Sequence, residues 1–284
     1  MYGGSYAAIV VRQLLHHRAA VSGMVVVGLF FLTAVFAAHI APYSPTAISL
    51  GHRLEWPTSA HWLGTDELGR DLLSRLIVGS RTTLLITTGA VGVAVPVGTL
   101  VGLAAGYFGR TVDLLLSRLI DTLMALPGFL LAIGIIAALG VGTANVVIAV
   151  GIYAVPALAR IARGATLAVN AQEYMLAAKA MGAGHGRLML RHIAPNIFPP
   201  IVVQTTLLLA TAMLTASSLS FLGLGPQPPI PEWGAMLSTA RGFITSAPLL
   251  ITFPGLAILL VALSFNLAGD GLRDALDPRL RHRS

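Results

Sequence analysis

Long apolar runs alternate along this chain with short, motif-rich polar interruptions. A helix that crosses a bilayer needs ~20 mostly apolar residues. Six stretches meet that requirement: 21–40, 82–107, 121–139, 144–162, 197–221 and 249–267. The first follows Arg12, His16, His17 and Arg18, as a secretory signal would. Its apolar run is too long for a signal and no small-x-small cleavage site follows, so it reads as an uncleaved first span. The pattern predicts an all-α integral membrane protein of about six transmembrane helices. Three regions follow from it: 1–81 with the first span and an outer segment, a core over 82–268 that contains a polar loop at 165–195, and a tail over 269–284.

Composition reinforces this picture. Hydrophobic residues make up 56% of the 284 and charged residues 10%, with a mean hydropathy of +0.82. Soluble domains carry about 25% charged residues. The formal charge of +7 would suit nucleic acid in a soluble protein, but in a membrane protein it marks the loops left in the cytoplasm. With an N-terminus inside, thirteen of the eighteen Lys and Arg residues fall on the cytoplasmic side. The expectation is two cytoplasmic termini, with the 165–195 loop facing the cytoplasm too. Trp62 and Trp233 are expected in the interfacial aromatic belt. Cysteine is absent, which excludes disulfides and thiol chemistry.

The chemistry missing from the spans is informative. Their central parts hold no Asp, Glu, Lys or Arg, whereas ion-coupled carriers place ionisable groups inside the membrane. A stand-alone channel or ion-coupled carrier is the competing class, and this absence weighs against it. The glycine-rich GAGHGR at 182–187 lacks the order of a phosphate-binding loop. The eight histidines form no metal-binding pattern. No metal, cofactor or enzymatic site is expected, so any energy for transport comes from a partner.

Two features leave alternatives open. Gly98, Gly102 and Gly106 make a small-residue stripe suited to close helix packing or to a pathway. Gln204, Thr205, Thr211, Thr215 and Ser218 gather in the fifth span, as interhelical hydrogen bonders or as the lining of a wettable pathway.

The most unusual interruption is EYMLAAKAMGAGHGRLMLRHIAPN at 173–196. Read as helix, Tyr174, Ala177, Ala178 and Met181 share an apolar face behind Glu173. Gly182, Gly184 and Gly186 then break it, and a second short helix over 187–193 is expected to stop at Pro195. Small side chains leave room for another protein, while Lys179, Arg187 and Arg191 keep the segment out of the bilayer core.

This segment resembles the EAA loop of bacterial ABC importer permeases, through Ala177, Ala178, Gly182 and Pro195. Leu176, His192 and Ala194 depart from the general pattern. The form E-Y-x-x-A-A-K-A-x-G-A, built on Glu173, Tyr174, Lys179 and Ala183 with Met181 at its last open position, and with Asn196 in the later H-x-x-P-N, is similar to the peptide/nickel branch. HWLGTDELGRDLLSRLIVGSR at 61–81 resembles that branch's outer-segment signature through Gly64, Thr65, Asp66, Gly69, Arg70, Asp71, Ser74 and Arg75. The stretches at 220–237 and 266–281 resemble its other signatures.

The resemblance, of the second-permease (DppC/OppC) type, implies a type I ABC importer permease in the bacterial inner membrane. It implies a homologous second permease, two ATPase subunits holding ATP and Mg, an extracytoplasmic peptide-binding protein, and di-/oligopeptide cargo. Nickel, glutathione, opine and glycoside importers share these signatures. Lipid surrounds the chain, and no nucleic acid partner is expected. The charges at 66–75 lie three to five residues apart, so an amphipathic helix at the outer surface is expected to pair them. Asp270, Arg273, Asp274, Asp277 and Arg279 are expected to form surface ion pairs or to cap the last span.

Overall fold

Apolar residues that cannot meet water become helices whose backbone groups are satisfied within each segment, as a bilayer demands. The computed structural model describes residues 13–276. Among the described residues, five helices are long and apolar enough to cross a membrane. They are α1 (Arg18–Ile40), α2 (Leu72–Phe108), α5 (Thr143–Asn170), α7 (Ala194–Phe221) and α9 (Leu249–Leu276). Between them lie α3 (Arg110–Ala125), α4 (Gly128–Leu139), α6 (Glu173–Ala180) and α8 (Trp233–Ala240).

The expected third span, 121–139, is not one helix. α3 and α4 meet at 91°. Pro127 lacks the N–H that would continue the ladder and pushes the residue before it out of helical space; Leu126 has φ −84° and ψ 138°. The other spans are longer than their apolar cores. α2 begins ten residues early, taking in Arg75 and Arg81, and α9 continues to Leu276 with Asp270, Arg273 and Asp274 in its last turns. Of the charges expected to pair there, Asp274 lies 3.9 Å from His17. Arg12, Asp277, Arg279, Arg281 and Arg283 lie outside the described residues, as do the last five residues of the 266–281 motif and the second half of the tail.

Two apolar clusters hold the bundle together. One joins α2, α4, α5 and α7 through residues such as Ile86, Ile136, Val150 and Leu219. The other joins α1, α7, α8 and α9 around Phe30, Met213, Trp233 and Phe265. Trp233 is therefore core and not belt: it is 4% exposed, its ring lies 5.2 Å from that of Phe30, and its Nε1 donates to the Leu76 carbonyl at 2.8 Å. Trp62 is 70% exposed.

The glycine stripe resolves in favour of packing. A Cβ added at Gly98 would come within 2.9 Å of the Leu158 Cβ, and one at Gly106 within 2.7 Å of the Thr166 Cβ. α2 and α5 thus lie backbone against backbone. At one end of the bundle sit the segments 41–71 and 222–248. At the other sit the α2–α3 turn, the 171–193 loop and the end of α9.

Candidate docking surface, outer cluster and membrane cleft

α6 begins after Gln172, and its Glu173 carboxylate suits the positive end of the helix dipole. The face that packs inward is Met175 and Ala178, spaced i, i+3. They join Leu103, Leu188, Ile193 and Ile197 in a third apolar cluster. This corrects the expected apolar face, because Tyr174, Ala177 and Met181 all point outward.

Gly182 closes the helix in a left-handed conformation, φ +79°. Its N–H donates to the Lys179 carbonyl at 3.0 Å, and the Ala183 N–H donates to the Ala178 carbonyl at 3.1 Å. This is the paired C-terminal cap for which glycine is favoured.

The expected second helix stopped by Pro195 is also corrected. A helical turn at His185–Arg187 and a wide turn at Leu188–Ile193 run directly into α7. Pro195 sits in the first turn of α7, and the helix continues through it without a stop.

Polar contacts hold the loop in place. The Tyr107 hydroxyl and His185 Nδ1 share a hydrogen bond of 2.7 Å. Lys179 Nζ donates to Asn170 Oδ1 at 2.8 Å. Asn196 Nδ2 donates to the His192 carbonyl at 2.6 Å and to the Tyr174 hydroxyl at 3.3 Å. With its inner side satisfied, the loop still exposes Leu176 (63%), Met181 (83%) and Leu190 (74%), beside Lys179, Arg187 and Arg191.

At the other end the outer-segment residues do not line an amphipathic helix. They form a buried turn that closes on the start of α2, with Thr65 bridged to Asp71. Asp66 Oδ1 accepts from the Leu68 and Arg70 amides at 2.9 Å each, while Oδ2 accepts from Arg70 Nε at 2.6 Å and lies 3.2 Å from Arg75 Nε. Arg70 also reaches Glu67 at 2.7 Å, and Arg75 donates to the Pro45 carbonyl at 3.0 Å.

Asp71 caps α2. Its Oδ2 accepts from the Ser74 amide at 2.8 Å and from the Ser74 hydroxyl at 2.7 Å, and its Oδ1 lies 2.9 Å from His61 Nδ1. Ser74 Oγ in turn accepts from the Tyr43 amide at 3.0 Å. Thr65 donates to the His52 carbonyl. Gly64 and Gly69 take positive φ of 82° and 75° against the backbones of Glu55 and Ser49. Thr65, Asp66, Arg70, Asp71, Ser74 and Arg75 are each no more than 6% exposed.

Sequence reasoning passed over Glu232, which caps α8 beneath this turn. It is 1% exposed and accepts from the Gly234 and Ala235 amides at 2.9 and 2.8 Å and from the Thr83 hydroxyl at 3.3 Å. Burial pushes its carboxyl above the usual glutamate range, although those donors pull the other way. The one signal for it is an acid immediately before a helix-forming WGAML.

In the membrane region α7 faces two clefts. One, of about 400 Å³, is lined by Ile161 of α5, by Pro200 and Gln204 of α7 and by Arg273 of α9. The other, of about 310 Å³, lies against the α3–α4 bend and is lined by Leu126, Gly128, Tyr153, Gln204 and Thr211.

Thr205 donates to the Ile201 carbonyl at 2.7 Å, Thr211 to that of Leu208 at 3.0 Å, and Ser218 to that of Leu214 at 2.8 Å. Thr211 and Ser218 are exposed, whereas Thr205 and Thr215 are half-buried. α3 is tied to α5 by Asp113 and Arg163, whose two hydrogen bonds measure 2.5 and 2.7 Å. This pair was not singled out in the sequence, where its members stand fifty residues apart with nothing to link them.

The family described as binding-protein-dependent transport system inner membrane component matches residues 98–282. The N-terminal transmembrane domain of oligopeptide transport permease C matches residues 5–57. A dipeptide transport system permease protein from Alkalihalophilus pseudofirmus is 45% identical over 95% of this chain and 89% of its own. A glutathione transport system permease protein from Pectobacterium atrosepticum is 46% identical over 95% and 90%, and a di/tripeptide permease from Pseudomonas aeruginosa is 45% identical over 95% and 91%.

Among solved structures, a chain of an inward-facing methionine ABC transporter superposes with a TM-score of 0.57 at 19% identity, covering 72% of this chain and 98% of that one. The likeness extends to the fold. The chain belongs to the binding-protein-dependent transport permeases of ABC importers. It is a multi-pass inner-membrane transport subunit without catalytic chemistry or cofactor of its own, and it works with partner ATPases and a binding protein.

Proposed function

We propose that this permease is one of two homologous membrane subunits forming a pathway for di- and oligopeptides, with both termini and the 171–193 loop in the cytoplasm. The loop is the seat of an ATPase subunit, and the 41–71 and 222–248 segments face the binding protein. One observation carries the docking assignment. The loop is fully anchored on its inner side by Met175, Ala178 and Ile193, yet it exposes Leu176, Met181 and Leu190. Water gains nothing from that arrangement, and an apolar recess on a partner would bury it. Lipid is a poorer counterpart for a loop carrying Lys179, Arg187 and Arg191 next to glycines.

In the mechanism this implies, closure of the ATPase pair displaces α6. Its Met175–Ala178 contact passes the movement to α5 and α7, which line both clefts. Leu176 in place of a glutamate then makes this contact apolar where the general loop pattern is ionic.

The test is co-purification of the assembled complex. Gly182→Glu would force a side chain into a left-handed backbone position, deforming the cap that presents Leu176 and Met181. Insertion in the membrane should be unchanged, while ATPase subunits co-purify at well under wild-type stoichiometry. Full stoichiometry with undiminished substrate-stimulated ATP hydrolysis would refute the assignment. A second cargo, glutathione, is favoured by the equally similar glutathione permease relatives. The ligand retained by the co-purified binding protein decides between them.

A further inference from the structure

Gln204 stands out among the polar residues of the spans. It is the residue common to both clefts: the one running toward Arg273 and the one at the α3–α4 bend. Among the described residues it has no hydrogen-bond partner within the chain. On the same face, seven and fourteen residues on, lie Thr211 and Ser218, about 10 and 21 Å along the helix axis. Each of those hydroxyls has already given its proton to a carbonyl of α7. Gln204 alone of the three keeps its polar groups free, two N–H donors and one carbonyl acceptor.

An amide left without a partner in a membrane helix is costly unless water or a solute meets it. The nearby Pro199 and Pro200 remove two more N–H groups from the ladder, so the carbonyls one turn back, at Pro195 and Asn196, lose their usual i+4 donors. The other polar side chains lining the two clefts are Arg273 in one and Tyr153 and Thr211 in the other.

We infer that Gln204 is the point at which the pathway engages its solute, and that it engages a backbone peptide unit. The inference rests on the peptide-importer reading above. A peptide unit offers one N–H and one C=O, the complement of a primary amide. Dipeptides and glutathione, the cargoes named for the two kinds of relative, differ in side chains and share that unit. An uncharged amide also binds weakly enough to let a solute leave, which a pathway requires.

The test uses the complete importer, with its second permease, ATPases and binding protein, reconstituted in liposomes. The probes are alanylalanine and its ester analogue, in which oxygen replaces the peptide N–H. The binding protein's own preference is common to every complex and cancels when ratios are compared. Replacing Gln204 by Leu or by the isosteric Met should lower alanylalanine uptake roughly five- to tenfold, the effect of about one neutral hydrogen bond. It should also narrow the amide-to-ester ratio by a similar factor, and Gln204→Asn should keep most of the ratio.

Unchanged ratios in assembled Leu and Met variants would overturn the inference while leaving the importer reading intact. Failure of the wild-type complex to take up either probe would instead overturn the peptide reading, and this inference with it.

Discussion

Two motif-rich segments interrupt the apolar chain, and they end in opposite states. The outer turn at 64–75 buries its charges: Asp66 holds both Arg70 and Arg75, and Asp71 holds Ser74 and His61. Every one of those partners lies within the chain. The 171–193 loop packs Met175, Ala178 and Ile193 inward and then exposes Leu176, Met181 and Leu190. Signature residues that are internally complete maintain shape, whereas under the docking proposal a segment that stays apolar toward water serves a partner outside the chain. The first kind of motif is disrupted by unfolding the subunit and the second by losing its partner.

The largest expected effect breaks the outer turn. Asp66→Ala would leave two buried guanidinium groups without their shared carboxylate, and removing one member of a buried charge set costs about 3–5 kcal/mol. Thermal unfolding in detergent should show a large loss of stability or of folded yield, with little selective effect on ATPase binding.

The second effect should be the mirror image. Leu176→Asp changes an exposed position, so stability should move by no more than about 0.5 kcal/mol. Placing a carboxylate in an apolar contact should weaken ATPase co-purification about tenfold, or 1.4 kcal/mol. If instead the subunit unfolds, the contrast between the two regions fails.

The smallest effect concerns Glu232. Its carboxyl is held above the ordinary range by burial, so folding favours the protonated acid. The resulting stability is fully present below the unfolded-state value and is lost as pH rises through the higher folded value. Melting temperature should therefore decline over that window, and Glu232→Gln should flatten the decline. An equal slope in the variant would place the titration elsewhere.

The helical spans were legible because burial in lipid makes composition and length sufficient: 21–40, 144–162 and 249–267 all lie inside observed helices. The break at Leu126–Pro127 carried its own signal, a proline within an apolar run, but the apolar count outweighed it. The wrong face of α6 had a different cause. Eight residues fit more than one stripe, and the choice of Met175 and Ala178 depended on where Leu103, Ile193 and Ile197 arrive from other helices. The charges at 66–75 look like a surface helix in one dimension. They become a buried turn because Asp66 and Asp71 satisfy local amides and because Pro45 and Tyr43 return across them.

The sequence by itself determined that this chain is a bundle of membrane helices with a polar loop within 165–195, and its four ordered motifs pointed to an ABC importer permease. Hydrophobic transfer and backbone satisfaction are local costs, read residue by residue. Only the tertiary structure decided that Trp233 belongs to the core, that Asp113 meets Arg163, and that Gln204 lines both clefts. Those outcomes depend on which surfaces remain after the helices have packed, and no single segment contains that information.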